Sequence, residues 1–334
     1  MEKTISIVMP VKNEALYLRE CLDSIVSQSF KDWELWICDD HSNDNTLEII
    51  VEYCDKYPSI NYLINKEHGI IPALNLAYSK CTGKYITRMD GDDIMPPKKL
   101  ETLFSLLQKK GRGYVATGKV KYFPEEDIAD GFYTYQNWLN SLCINQNHWD
   151  EVYKECVIPS PCWLAHRQDF DSCGGFKDSV YPEDYDLVFR MYTKGLKVIA
   201  SQDILHLWRD HALRTSRNSE HYQTQTFFEL KLKYFLSTES IQGKNLVIWG
   251  AGKKGKVLAG HLNTLDKKFH WVCNNKNKIG HEILGIVMQD YLEIEQIKNP
   301  VVLITVSGHE DRSEIVNFLE KIGLKPNKSF FMFC

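Results

Sequence analysis

Apolar positions along the first half of the chain follow two rhythms. Short continuous runs, Thr4-Ile-Ser-Ile-Val-Met-Pro-Val11, Trp33-Glu-Leu-Trp-Ile-Cys38, Ile60-Asn-Tyr-Leu-Ile64 and Lys84 to Met89, predict strands. Between them a helical period takes over. Leu18, Leu22, Ile25 and Val26 form one stripe, in a helix opened by Lys12-Asn13-Glu14. Leu47, Ile50, Val51 and Cys54 form the next, after the capping oxygens of Ser42-Asn43-Asp44. Gly69 to Cys81 predicts a third helix, and Pro96-Pro97 starts a fourth with Leu100, Leu103, Phe104 and Leu107 on one face. Strands alternating with helices predict a wound, parallel α/β sheet. Residues 124–156 lose this periodicity and are rich in aromatics (Phe132, Tyr133, Tyr135, Trp138, Trp149). They read equally well as an acceptor-binding surface or as an insert packed on the sheet. Cys162-Trp-Leu-Ala reads as a return strand and His221 to Leu236 as a long helix.

The polar stretch Ser237 to Gly243 marks a boundary, giving domains at 1–237 and 242–334. The second begins with a strand, Asn245 to Trp249, followed at once by Gly250-Ala-Gly252-Lys-Lys-Gly255 and a helical stripe at Val257, Leu258 and Leu262. Strand, glycine turn and helix are the setting of a dinucleotide fingerprint. Further strands at Phe269 to Cys273, Pro300 to Val306 and Ser329 to Cys334, with a helix at Ile315 to Ile322, give a small Rossmann-like domain of about four strands. The acidic residue that would hold a dinucleotide ribose is replaced by Asn274 or Asn275, which argues against NAD(P). Gly250, Gly252 and Gly255 then serve helix–strand packing in a docking or dimerisation domain, or a phosphorylated ligand at the helix start. A homo-oligomer through this unit is left open.

Composition narrows the class. The chain has 334 residues, a net charge of -4 and ordinary apolar content, 43%. That balance disfavours a nucleic-acid partner. No apolar run approaches the ~18 residues of a membrane span, and the N-terminus reads as a strand rather than a signal peptide. The ten cysteines are dispersed without a Cys-x-x-Cys pair, as expected of reduced thiols in the cytoplasm.

The chemistry concentrates where strands end. Tyr85-Ile-Thr-Arg-Met leads into Asp90-Gly91-Asp92-Asp93, three carboxylates in four positions. Such crowding invites a divalent cation, Mn²⁺ or Mg²⁺, which often uses one or two carboxylates plus phosphate oxygens. A solvated acidic turn is the plain alternative. A second pair, Asp39-Asp40, also falls at a strand's carboxyl end, where wound sheets bind ligands. Arg209, His211, Arg214 and Arg217 lie within nine positions and suit a phosphate or a metal shell. Glu183-Asp184 opens a helix and offers either a general base or charge complementing the helix dipole.

Val8-Met-Pro-Val-Lys-Asn-Glu14, Asp39-Asp40-His-Ser-Asn-Asp44 with Thr46, the Asn75 helix, Asp90-Gly-Asp-Asp93, Gly174-Gly175-Phe176 and Pro182-Glu-Asp-Tyr-Asp-Leu187 stand in an order and spacing that resembles the family 2 glycosyltransferases. The likeness covers the first 220 or so residues. It implies a GT-A, nucleotide-diphospho-sugar transferase-like wound sheet, beside the small C-terminal Rossmann-like domain. It implies an inverting transfer, metal-dependent through a DXD motif, from a nucleotide-sugar donor (UDP-sugar first) to a hydroxyl on a glycan, lipid-linked sugar or protein. Pro10, Val11, Asn13 and Glu14 would line the nucleotide pocket, and Asp39 or Asp40 would hold base or ribose. Asp90 would contact ribose or metal, Asp92 would be the principal metal ligand and His211 would complete the shell. Arg209 and Arg214 would meet the diphosphate, and Asp184 would be the base. Processive members carry membrane spans and Gln-x-x-Arg-Trp, both absent here, so one sugar per encounter is expected. The setting would be bacterial surface glycan or glycoprotein assembly, in the cytoplasm or at the inner face of the membrane. A silent binding module and a nucleotidyltransferase are the rival readings.

Overall fold

The computed structural model describes residues 3–124, 130–178, 180–211 and 224–334. The chain forms two compact units, residues 1–149 with 157–218, and residues 150–156 with 219–334.

In the first unit the strands and helices are β1 (Ile5–Val11), α1 (Leu18–Val26), β2 (Trp33–Asp39), α2 (Thr46–Lys56), β3 (Ile60–Ile64), α3 (Ile70–Tyr78), β4 (Tyr85–Arg88), α4 (Lys99–Lys110), β5 (Tyr114–Phe123), α5 (Asp130–Asn145), β6 (Trp163–His166), α6 (Arg167–Ser172), α7 (Glu183–Thr193) and β7 (Lys197–Arg209). The described strands form one sheet in the order β3-β2-β1-β4-β6-β5-β7. The first four run parallel, and β6 runs antiparallel to both neighbours. Central β1 is buried along nearly its whole length, because helices cover both faces of a parallel sheet. That is why it reads as a continuous apolar run. The order reverses between β1 and β4, so the crevice beyond their carboxyl ends is the natural ligand position.

Three elements differ from the sequence expectation. α1 begins at Leu18, not at Lys12, because Asn13 to Ala15 are held outside any helix by bonds to Ser42, Asp44 and Thr46. α3 ends at Tyr78, three residues early. The aperiodic aromatic stretch contains the 16-residue helix α5. Its aromatics pack on the sheet, Phe132 against Tyr122 and Tyr135 against Trp208, and Tyr135 stacks on Trp138 within the helix. Trp149 donates its indole N–H to the Leu196 carbonyl. Both faces of α5 carry aromatics, which blurs the helical period.

In the second unit the elements are α8 (Thr224–Thr238), β8 (Asn245–Trp249), α9 (Lys253–Thr264), β9 (Phe269–Cys273), the hairpin β10 (Glu282–Ile283) and β11 (Ile286–Val287), β12 (Gln289–Asp290), β13 (Pro300–Ile304), α10 (His309–Lys321) and β14 (Phe330–Met332). The sheet is parallel in the order β12-β9-β8-β13-β14, five strands rather than about four, because the two-residue β12 adds an edge. α8 groups with this unit, so the compact units part near residue 218 rather than at 237. Phe235 of α8 packs against Phe331, Phe333 and Tyr153, and buried Lys231 donates to the carbonyls of Lys154 and Phe333.

The glycine turn is tightly packed at Gly250 and Gly255. A Cβ on Gly255 would lie 1.9 Å from the Gly250 carbonyl oxygen, and Gly250 itself sits at φ +134. That carbonyl also accepts the Trp271 indole N–H. Gly252 is the N-cap of α9, with open space where a Cβ would stand. Gly255→Ala is therefore expected to cost about 1–3 kcal/mol by overpacking. Gly260→Ala, in the same helix with nothing near its Cβ position, should instead gain up to roughly 1 kcal/mol of helix propensity. Urea denaturation of the two variants checks the opposite signs.

Candidate functional site

β4 carries the arginine around which the site is assembled. Arg88 is buried at the strand's end, with its side chain 6% exposed. Its Nε donates to Asp90 Oδ1 at 2.8 Å and its Nη1 to Glu183 Oε1 at 2.9 Å, so one guanidinium joins the acidic loop to the start of α7. The apolar strand Tyr85 to Met89 holds a single charged residue, and that anomaly was the available signal for Arg88. The sequence reading assigned it no role.

The three aspartates of the loop have separate surroundings. Asp90 faces Arg88. Asp92 Oδ2 lies 2.9 Å from His211 Nε2, so those two residues are brought together as expected. His211 Nδ1 is buried and finds no hydrogen-bond partner among the described residues. Asp93 is fully enclosed and structural: Oδ1 accepts the Arg209 backbone N–H at 2.8 Å and Oδ2 lies 2.9 Å from His206 Nε2. Below it, His206 Nδ1 is 3.3 Å from the ammonium of Lys99, which also donates to the Pro161 carbonyl. Burial pushes the pKa of Lys99 down, opposed by nearby Cys162 and Asp93. Lys99, a charged residue at a core position of α4, went unnoticed because nothing local distinguishes it from a surface lysine.

Arg209 braces the loop. Its Nε donates to the Asp92 carbonyl at 2.7 Å, and the guanidinium pairs with Glu20 between the rings of Tyr17 and Phe123, 4.7 and 4.4 Å away. Arg214 and Arg217 lie outside the described residues. Gly91 has little room: a Cβ there would stand 2.9 Å from Val11 Cγ1 and 3.3 Å from Glu14 Cγ. Burial and the carboxylates of Asp92, Asp90 and Asp93 push the pKa of Glu14 up to about 9. The donor set is thus a group of crowded carboxyls whose charge is partly suppressed by protonation, a state a hard cation would relieve, with an imidazole alongside.

Across the crevice, the segment after β1 is laced to the segment after β2. Asn13, at φ 57, donates its backbone N–H to Ser42 Oγ, and its side-chain oxygen accepts from the Asn43 backbone. Glu14 and Ala15 donate to Thr46 and Asp44. Pro10 is half-buried at the end of β1. Asp39 is 3% exposed; its Oδ2 accepts from the Ser42 N–H, while Oδ1 is buried and accepts nothing among the described residues. Asp40 instead accepts from the Asn65 side chain, the Gly69 N–H and Lys12 Nζ.

Opposite the acidic loop, α7 presents its first turn. Glu183 is spent on Arg88. Asp184 is half-buried, and burial, with the Glu183 charge next, pushes its pKa up to about 7. A small cavity beside it is lined by Ile158, Ser160, Trp163 and Phe176. Gly174 and Gly175, at φ 85 and 60, turn the preceding chain back so that Arg190 reaches the carbonyls of Cys173 and Gly175 and locks α7 in place. Arg88→Met would leave Glu183 buried without its counter-charge. The expected loss is about 3–5 kcal/mol in chemical denaturation, against a near-neutral result if the bridge were solvated.

The sequence and the fold of the first unit have relatives among known proteins. The family model described as "Glycosyl transferase family 2" matches residues 6–174. The Bacillus subtilis protein described as "Putative glycosyltransferase EpsE" is 41% identical over 116 residues, 34% of this chain and 41% of that protein. The Streptococcus pneumoniae glycosyltransferase GlyG is 26% identical over 223 residues, 63% of this chain and 71% of that protein. Hyaluronan synthase of Pasteurella multocida is 35% identical over 216 residues, of which this chain spans only 20% of that protein's length. Among solved structures, Staphylococcus aureus TarS 1-349 in complex with UDP-GlcNAc superposes with a TM-score of 0.55 at 16% identity, covering 78% of this chain and 72% of that one. The mannosyltransferase PcManGT from Pyrobaculum calidifontis, in complex with GDP-Man and Mn²⁺, gives 0.53 at 18% identity, covering 78% and 70%. These two share the GT-A fold with the first unit's wound sheet. With just over half of its length matched by the family model, and the matched stretch carrying the β1–β4 crevice and its acidic loop, the chain belongs to glycosyl transferase family 2.

Proposed function

We propose that the protein is a metal-dependent, inverting glycosyltransferase that moves one sugar per encounter from a nucleoside-diphosphate donor, UDP-sugar first, to an acceptor hydroxyl. The observation that carries this is the Arg88 bridge. By neutralising Glu183 it leaves Asp184 as the carboxylate of α7 able to take a proton, and it ties that residue's helix to the acidic loop. Bacterial surface-glycan or glycoprotein assembly is the proposed setting, in keeping with relatives such as the hyaluronan synthase. The donor class is in keeping with the UDP-GlcNAc and GDP-Man in the complexes of the same fold.

In this reading the nucleotide lies across the ends of β1 and β2, against Pro10, Val11, Asn13 and Glu14. The unsatisfied Oδ1 of Asp39 accepts an N–H or O–H of the base or ribose, which removes the cost of leaving a buried acceptor unpaired. Asp92 and His211, whose side chains meet at 2.9 Å, would hold the divalent cation, joined on binding by Asp90 from its place against Arg88; when bound, the cation supplies positive charge against the departing diphosphate. Asp184 receives the acceptor hydroxyl's proton as the new C1–O bond forms and the bond from C1 to the phosphate oxygen breaks, the electron pair leaving with the nucleoside diphosphate. Attack opposite the leaving group inverts C1. Arg209 would fix the loop through the Asp92 carbonyl, beside the diphosphate. No described helix is long and apolar enough to cross a membrane.

A base works only when deprotonated, so a raised pKa moves the active form to higher pH. The transfer rate should climb as pH rises through about 7 and level off above it. Asp184→Asn should lower kcat about 10²–10⁴-fold while UDP binding is retained; turnover at the wild-type rate would remove Asp184 from the role. Separately, UDP with Mn²⁺ at a hundred times its Kd should stabilise the protein by about 2.7 kcal/mol in thermal unfolding. Asp92→Ala should abolish that metal-dependent part.

A further inference from the structure

Among the described residues, three ligand side chains close to within 4.8 Å of one another not at Asp90, Asp92 and His211 but at Asp40, His41 and His68. We propose that this group is a second, distinct metal site, of a chemistry that favours a borderline-soft transition ion such as Zn²⁺. Two imidazoles and one carboxylate suit zinc, nickel or copper, whereas magnesium and manganese prefer all-oxygen shells.

The sheet creates the site. β2 and β3 run parallel, with Asp39 opposite Ile64, so the chains leaving their carboxyl ends emerge side by side. Asp40 and His41 follow the first strand and His68 the second. Asp40 is 5% exposed, and its carboxylate is fixed by the Asn65 side chain at 2.7 Å and the Gly69 N–H at 3.1 Å. The two imidazole rings face each other with centroids 4.1 Å apart. His41 lies in the left-handed region, φ 60, which histidine enters more readily than most side chains.

The tautomer of His41 is decided by its partner. Its Nε2 lies 2.8 Å from the Glu67 carbonyl oxygen, which can only accept, so Nε2 carries the proton and Nδ1 keeps its lone pair. A ring N–H on a backbone carbonyl is the usual outer support of a metal-binding histidine. Lys12 Nζ stands 3.4 Å from Asp40 Oδ2. It is half-exposed, and a cation bound at Asp40 would displace it. Both histidines are exposed, so small side-chain rotations bring the ligand atoms to bonding distance and leave a fourth position for water or a ligand.

This inference rests on the three side chains alone and does not depend on the proposed transferase reaction. The test is zinc binding to the full chain, measured against a chromogenic chelator, with Co²⁺ absorption as a second readout. The wild-type protein should bind one more equivalent of Zn²⁺ than His41→Asn or His68→Gln, or bind it about 10-fold or more tightly. Its Co²⁺ complex should show visible bands that either variant weakens. Asn keeps the left-handed backbone at position 41, and position 68 is exposed, so at least one variant should melt as the wild type does without metal. Asp92→Ala should retain the extra equivalent while losing manganese-dependent UDP binding, which separates this site from the proposed donor site. Equal zinc stoichiometry and affinity in wild type and both histidine variants would overturn the proposal, since the ten cysteines could then account for whatever zinc is bound.

Discussion

Arg88 carries one positive charge into the floor of the crevice, and three carboxylates are arranged around what it neutralises. Its fork holds Asp90 on the acidic loop and Glu183 on α7, elements separated by most of a hundred residues of chain. A buried ion pair is weak evidence for net stability, because desolvation offsets attraction. Its effect here is on placement. Without the guanidinium, the first turn of α7 would bring two adjacent acids towards an already acidic loop. With it, one acid is neutralised and the other, Asp184, stays half-buried with a raised proton affinity.

The same logic recurs around the loop. Asp93 is consumed by the Arg209 backbone and by His206, which in turn rests on the buried ammonium of Lys99. Arg209 is consumed by Glu20 and the Asp92 carbonyl. Each of these residues gives up chemistry of its own to fix Asp92 and Asp90. Glu14 is the exception: no described cation pairs with it, and burial beside Asp92 and Asp90 pushes its pKa up to about 9, so it holds a proton where a counter-charge is lacking. That lack of positive charge is the physical reason for assigning a divalent cation to the proposed mechanism.

The second unit has a different character. Its glycine turn resembles a nucleotide-binding fingerprint, yet Gly255 is required by the Gly250 carbonyl and Gly250 by Thr305. Close approach of helix to strand explains both glycines without a ligand. α8 joins this unit because its apolar residues meet an aromatic cluster at Tyr153, Phe331 and Phe333. A boundary drawn from a polar stretch cannot register such a partner.

Local order was legible wherever one rhythm or one motif sufficed. The parallel strands β1 to β4 are buried on both faces and therefore read as apolar runs. The acidic loop falls at a strand end, and the family follows from motifs in fixed order. Contacts between distant segments were not legible. Arg88 looks like an interruption in a strand until Glu183 is seen opposite it. Lys99 looks like a surface residue until α4 turns it inward. Asn13 looks like the start of a helix until Ser42 and Asn43 take its hydrogen bonds. His41 and His68 stand 27 positions apart in sequence and come together only because β2 and β3 are paired in parallel. The sequence by itself determined the periodicities, the strand-end chemistry and the family. The tertiary structure decided which charge each acidic group meets, because pairing and burial depend on distances that the chain order does not contain.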